Sequence, residues 1–328
     1  MVLCKSQRIS NPWGIAMKKR IKMVFLSGRK QQEAITKVMK AAQLVVVFGM
    51  GLTLTGCGSD DNGSAIAQQG PPQPFVAPVV FQAAGPTIAS IQNTVDQYRA
   101  ALGATDNGNT AGPLADGRRE INWDGAGGAA TNTAPAPTPF EGFRNNRGAR
   151  FTTPGTGFVQ ATAQGMTDHF ANQSYVTIFQ PFSNQRLFSS DGSTATNVEF
   201  FVPIGANVPP GTVADKPATT KGFGAVFTDV DQPNGSGPNH INGDRSPSTF
   251  IEYFGTDGGL LFKSVVPASP GEKSVSFLGI VFTDARIAKV KITSGDAAPV
   301  AGAGPNDDAT HDIVMMDDFL YGEPQPLL

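Results

Sequence analysis

The sequence predicts a mostly β protein, an antiparallel β-sandwich (jelly-roll-like) with one N-terminal amphipathic helix. Of its 328 residues, 40% are hydrophobic and only 16% are charged, which argues against a disordered chain. The 38 Gly and 25 Pro interrupt the chain too often for a helical bundle. From about residue 151 onward, short segments rich in Val, Ile and Phe alternate with turn residues, the pattern of sandwiches and barrels.

The chain begins with a basic leader. Up to Gly56 there are ten Lys and Arg against one acid, Glu33, and residues 41–54 form an apolar run of 14 residues. A membrane-spanning helix needs about 20 apolar residues, so this run is too short. A basic region, a short apolar run and small residues after it predict a secretory signal peptide over residues 1–56. The alternative is a buried helix that ends in an incidental cysteine.

The end of the leader, Leu54-Thr55-Gly56-Cys57, resembles the lipobox of bacterial lipoproteins. The resemblance implies that Cys57 is lipidated, that the signal is cut just before it, and that a lipid anchors the protein to a membrane of the bacterial cell envelope. Gly58, a non-acidic residue after the cysteine, implies the outer membrane. Several acyl chains anchor a protein stably, whereas one chain binds marginally.

Residues 57–86 are rich in Gly, Ser, Gln, Ala and Pro and predict a flexible tether. The folded domain is expected over residues 87–324, followed by a tail over residues 325–328. It starts with a helix whose apolar stripe is formed by Ile88, Ile91, Val95, Tyr98 and Leu102, with Gly103 as its end. This stripe predicts a face packed on the sheet, and a partner-binding helix is the alternative.

Eight strands are predicted, at 175–182, 196–202, 221–229, 249–254, 259–266, 274–282, 286–293 and 312–321. Residues 223–229 and 278–284 share five of seven residues. In both segments alternate positions are apolar, so each presents one apolar face to the core. The second residue of each segment is a glycine, Gly224 or Gly279, on the opposite face. It leaves room there for a close backbone or a packed ring.

A turn with two carboxylates follows the strand predicted at 221–229. Asp229, Asp231 and Asn234 supply side-chain oxygens, and calcium takes six to eight oxygen ligands. The turn does not match the EF-hand pattern, and further ligands would have to come from the acidic segment 304–312 or from Asp317 and Asp318. Calcium is therefore the expected cofactor if there is one, and ordinary turn formation by Asp and Asn is the alternative.

The segment 314–324 resembles the closing strand of exported bacterial β-sandwich modules, including carbohydrate-binding modules and domains of surface proteins with sorting signals. In such carbohydrate-binding jelly rolls an acid in this strand often holds a structural calcium. The resemblance assigns that role to Asp317 or Asp318. Adjacent strand residues point to opposite faces, so only one of the two is expected to serve.

A possible glycan-binding group occurs earlier, at Asn122, Trp123 and Asp124. An exposed Trp beside polar side chains stacks on a sugar ring and hydrogen-bonds it. The alternative, which the residues favour, is a Trp that fills the edge of the sandwich.

Composition also limits the partners. From Cys57 onward there are 15 Lys and Arg against 26 Asp and Glu, a net charge of −11 that argues against nucleic-acid binding. His169, His240 and His311 show no zinc-ligand spacing. The expected function is a non-catalytic binding or structural sandwich on the cell envelope, with a glycan or another envelope component as partner. The alternative is an extracytoplasmic hydrolase acting on polysaccharide.

Overall fold

The computed structural model describes residues 76–125, 135–231, 247–308 and 310–327. Two antiparallel sheets pack face to face around one large apolar core, and a two-stranded sheet accompanies them. The predicted antiparallel β-sandwich with one amphipathic helix near its start is confirmed. Within the described ranges, no helix combines the length and apolar composition needed to cross a bilayer.

Fourteen strands and four helices lie within these ranges. The strands are β1 (Val79–Gly85), β2 (Arg118–Ile121), β3 (Ala149–Thr152), β4 (Gly157–Ala161), β5 (Leu187–Asp191), β6 (Ala195–Phe200), β7 (Ala218–Thr219), β8 (Gly222–Thr228), β9 (Phe250–Phe254), β10 (Leu260–Val265), β11 (Val275–Val281), β12 (Lys289–Thr293), β13 (Met315–Gly322) and β14 (Gln325–Pro326). The helices are α1 (Ile88–Leu102), α2 (Arg144–Arg147), α3 (Ala163–Phe170) and α4 (Tyr175–Ile178).

The larger sheet has seven strands. Six follow the order β1-β11-β8-β13-β5-β4, and β2 also pairs with β13. The second sheet has the order β10-β9-β12-β6-β3, and β14 pairs with β7. Strands that are distant in the sequence therefore become neighbours, and the residues that flank them meet at the ends of the sheets.

The two similar segments lie side by side as β8 and β11. Phe223, Ala225 and Phe227 of β8 and Leu278 and Ile280 of β11 are buried in the core between the two sheets, as the period of two predicts. The antiparallel register pairs the glycine at 224 with the glycine at 279. Both glycines lie on the opposite face of the sheet, where α1 packs.

Helix α1 places the ring of Tyr98 over this glycine pair. A Cβ atom on Gly279 would lie 2.7 Å from the ring, and one on Gly224 would lie 2.9 Å from it. The hydroxyl of Tyr98 donates a hydrogen bond to the Ile280 carbonyl at 3.2 Å. The predicted helix, its end before Gly103, its packing on the sheet and the packed ring are all confirmed.

Strands β2, β3, β4, β5 and β7 and helices α2 and α3 lie where no element was predicted. Three further segments differ from the prediction made for them. Residues 175–182 begin with helix α4 and not with a strand, because Tyr175 and Ile178 are both buried at a spacing of three, which one helical turn places on one side. Residues 79–85, expected in the tether, form strand β1 on the edge of the larger sheet. The expected tail contributes β14, which pairs with β7.

Candidate metal site

Four aspartates from two parts of the chain meet at the end of the seven-stranded sheet. Asp229 and Asp231 follow β8, whereas Asp307 and Asp312 precede β13. Because β8 and β13 are antiparallel neighbours, with Met315 opposite Thr228, the segment before one strand lies beside the segment after the other.

The carboxylates of this group lie close together. One oxygen each from Asp229, Asp231 and Asp307 can be chosen so that all three lie within 4.8 Å of one another. Asp312 adjoins them, and its Oδ1 accepts a hydrogen bond from the Asp231 backbone N–H at 3.4 Å. The structure thus brings Asp229 and Asp231 together, and it adds two acids from the segment 304–312. We refer to these four residues as the aspartate cluster.

Three members of the aspartate cluster are held by donors of the protein. Asp231 Oδ1 accepts from the Gly271 N–H at 2.8 Å, and Asp307 Oδ1 accepts from the Ile313 N–H at 2.8 Å. Asp312 Oδ2 accepts from the Ser248 hydroxyl at 2.8 Å. These hydrogen bonds position the carboxylates, but none of the three donors carries a charge.

Asp229 is different because it is fully buried and receives no hydrogen bond from a backbone N–H or a hydroxyl of the described residues; its side-chain hydrogen-bonding partner is another acid, Asp307. Its backbone has φ 68°, a left-handed conformation that Asp tolerates better than most residues. Burial first, and then the charges of Asp307 and Asp231, raise the pKa of Asp229 to about 9. Among the described residues, no Lys or Arg forms an ion pair with the aspartate cluster.

The other acids are shifted in the same direction. Burial raises the pKa of Asp312 to about 7 and that of Asp307 to about 6. A buried set of carboxylates either holds protons or binds a cation, because buried like charges are costly. The side-chain atoms that the aspartate cluster offers to a cation are all carboxylate oxygens, the ligand type that calcium prefers.

Asp317 and Asp318 lie in a separate group with Asp124. The hydroxyl of Ser183 lies 3.3 Å from Asp317 Oδ1, 2.5 Å from Asp318 Oδ1 and 3.3 Å from Asp124 Oδ2. Arg99 donates to the second oxygen of Asp318 at 3.4 Å. Backbone N–H groups of the segment before β5 occupy the remaining oxygens of Asp317 and Asp124. The group therefore fixes that segment, and the expectation that Asp317 or Asp318 joins Asp229 is wrong.

The expectation that Asp317 and Asp318 point to opposite faces is also wrong. The pairing of β13 with β8 shifts register between Met316 and Phe319, so a bulge lies at the two aspartates. A bulge breaks the alternation of side chains. As a result, both carboxylates are buried and both contact Ser183. Asn234, the remaining predicted metal ligand, lies outside the described residues.

Trp123 does not present its ring to a ligand. Its side chain is 1% exposed, and its ring stacks on Phe188 with centroids 3.7 Å apart and planes 10° apart. Its Nε1–H donates to the Asp317 carbonyl at 3.2 Å. Of its two neighbours, Asn122 is exposed and Asp124 is buried. The predicted sugar-binding group is therefore wrong, since the indole fills the core.

The acids from the segment 304–312 had only a weak signal in the sequence. They were recognisable as acidic residues before the closing strand. Which other acids they approach depends on the strand that pairs with the closing strand. The pairing of β13 with β8 supplies this information.

No family model matches the chain, and no curated protein matches it. Among solved structures, the K2 cleaved adhesin domain of Lys-gingipain aligns with 57% of this chain and 99% of its own length. The sequence identity is 8% and the TM-score is 0.28. A likeness at this level carries no argument about function.

Proposed function

We propose that this protein is a lipid-anchored component of the bacterial cell envelope whose β-sandwich is non-catalytic and is stabilised by calcium bound at the aspartate cluster. The cation would join the segment after β8 to the segment before β13. The anchor rests on Cys57 and its lipobox. The sandwich would then serve as a binding or structural module outside the cytoplasm.

The observation that carries the calcium proposal is the environment of Asp229. A buried carboxylate without donor or cation is costly, and such groups in folded proteins are paired or coordinate metals. Here the nearest charged groups are further carboxylates, so a cation would compensate several charges at once. Zinc favours His and Cys ligands, whereas calcium accepts a set of carboxylates.

A thermal melt with and without calcium tests the cation. The soluble form runs from Gly58 to Leu328, because strand β1 begins at Val79 and must be retained. A ligand that binds only the folded state stabilises it by about 2.7 kcal/mol when its concentration is 100 times its Kd. We expect calcium to raise the melting temperature of the chelator-treated protein.

Two variants make this test specific. Asp229→Asn keeps the shape of the side chain but removes its charge, and it should reduce or abolish the response to calcium. Asp215→Asn is the matched control, because Asp215 is exposed and lies outside the aspartate cluster. A melting temperature that calcium leaves unchanged, or an equal response in wild type and Asp229→Asn, contradicts the proposed site.

The anchor has its own test. Labelled palmitate should enter the full chain, the mature amino terminus should map to Cys57, and Cys57→Ser should lose the label. Incorporation that persists in Cys57→Ser contradicts lipidation at this residue.

A further inference from the structure

We infer that a groove at one end of the five-stranded sheet, beside the two-stranded sheet, binds a saccharide that carries one acidic sugar. This inference deepens the proposed function by naming a ligand class. It rests on that function only for the location of the protein outside the cytoplasm. None of the groove residues belongs to the aspartate cluster.

The groove consists of two adjoining depressions. The first has a volume of about 540 Å³ and the second about 950 Å³. Both are lined by Gly255, Thr256 and Leu327, so they are continuous. Single ligand pockets span about 300–1,000 Å³. Two joined depressions of this size suit a ligand of several linked units better than one small molecule.

Cationic side chains line the first depression. Arg150, Lys289 and Lys291 are there, with Glu199 as the single acid. They come from alternate positions of β3, β12 and β6, which point away from the core. The register places Lys289 opposite Glu199 on one side and opposite Phe254 on the other.

Of the three cationic residues that line the first depression, Lys289 is the one that forms no ion pair with a described residue. Arg150 is bound to Glu199 through two of its nitrogens, and Lys291 Nζ lies 3.6 Å from a Glu252 oxygen. Among the described residues, no acid lies within ion-pair distance of Lys289. An anionic group in the first depression would therefore meet an ammonium without an acidic partner, on the residue that lies opposite Phe254 in the register.

The acidic character of the chain from Cys57 onward makes the positive charge of the first depression selective. From Cys57 onward the chain carries a net charge of −11. Such a surface repels a uniformly anionic polymer but still admits one anionic group at a cationic depression. A nucleic acid or a polyanion fits this distribution poorly.

The second depression has a different polarity. Asp257, Asp284, Arg286, Thr219 and Gln325 line it and offer both acceptors and donors. Neutral hydroxyl groups can use both kinds of partner, whereas a second anionic unit would meet two carboxylates. A saccharide with an acidic sugar at one end and neutral sugars beyond it matches both depressions.

Calorimetric titration of the soluble form tests the inference. The probes are sialyllactose and aldotetraouronic acid, each with one carboxylate, and their neutral counterparts are lactose and xylotetraose. We expect both acidic oligosaccharides to bind more tightly than their neutral counterparts, with an affinity that falls as salt rises. Lys289→Gln should weaken binding about tenfold, as expected for one lost charge-assisted hydrogen bond.

Lys263→Gln is the matched control. Lys263 lies on β10 of the same sheet, two strands from β12, and lines neither depression, and its substitution removes the same charge. Lys263→Gln should bind like wild type, and both variants should melt like wild type.

The inference is overturned if neither acidic probe binds more tightly than its neutral counterpart. It is also overturned if Lys289→Gln and Lys263→Gln lose affinity equally. A missing calcium response with intact, Lys289-dependent binding rejects the cation site and leaves the groove. Binding that is lost while the calcium response remains rejects the groove alone.

Discussion

The proton that the buried Asp229 carboxyl retains should make the calcium-free protein less stable as the pH rises. Burial raises the pKa of Asp229 in the folded state from the ordinary 3.8 to about 9. Between these two values the folded chain holds a proton that the unfolded chain has released. The free energy of unfolding therefore falls with increasing pH across this window. Below pH 4 the carboxyl is protonated in both states and imposes no cost.

The size of the effect follows from the same window. Each pH unit above the ordinary pKa costs about 1.4 kcal/mol while the folded carboxyl stays protonated. At pH 7 the cost from Asp229 is on the order of 4 kcal/mol. Typical domains have a free energy of unfolding of about 5 to 15 kcal/mol. The contribution is therefore large enough to measure.

Urea unfolding of chelator-treated protein at pH 5 and pH 8 is the assay. Asp317 also has a raised pKa because of burial and the charge of Asp318, so the informative quantity is the difference between wild type and Asp229→Asn. The variant should lose less stability between the two pH values and should be the more stable protein at pH 8. Added calcium should stabilise wild type more at pH 8 than at pH 5, because calcium competes with protons for the carboxylates of the aspartate cluster.

Asp215→Asn should keep the pH dependence of wild type, since Asp215 is exposed. If Asp229→Asn loses as much stability between pH 5 and pH 8 as wild type does, the reasoning about a buried, uncompensated Asp229 is refuted.

Three further substitutions test the packing of the sandwich. Gly279→Ala places a Cβ 2.7 Å from the ring of Tyr98 and should lower the free energy of unfolding by about 1–3 kcal/mol. Arg119→Met should cost about 3–5 kcal/mol, because it leaves the buried Glu323 without the cation that binds it at 2.7 Å through two nitrogens. Trp123→Ala should cost about 3–5 kcal/mol, because the indole fills the core. Urea unfolding measures all three.

Two surface substitutions serve as controls for these predictions. Gly125→Ala adds a Cβ where no atom lies within 4 Å, and Arg286→Met breaks an ion pair that is more than a quarter exposed. Both should change stability by less than about 1 kcal/mol. A tolerated Gly279→Ala would contradict the close packing of the helix, and a tolerated Trp123→Ala would contradict a buried indole.

Local patterns in the sequence were sufficient for the fold class, for the helix near its start and for half of the fourteen described strands. The stripe of α1 ends where Gly103 adopts φ 135°, and seven of the eight predicted strands are present. The glycine at 279 was recognisable as a place for close packing, because it lies between the bulky Phe277 and Val281 on the face opposite the core between the sheets. These features depend on the period of side chains along one segment, which neighbouring residues determine.

The composition of the candidate metal site could not be predicted in full, because it depends on pairings between distant segments of the chain. Asp229 and Asp231 were identified from a turn, but Asp307 joins them only because β13 lies next to β8. A bulge directs both Asp317 and Asp318 to Ser183, which strict alternation does not predict.

The sequence by itself determined the sandwich, the helix on its sheet and the acidic character of the chain from Cys57 onward. Only the tertiary structure decided that Trp123 is buried, that residues 79–85 form a strand and that Lys289 lies in a groove. The physical reason is that periodicity is a property of a few adjacent residues. Burial, cross-strand register and converging charges arise from residues that are far apart in the sequence, such as Asp229 and Asp307.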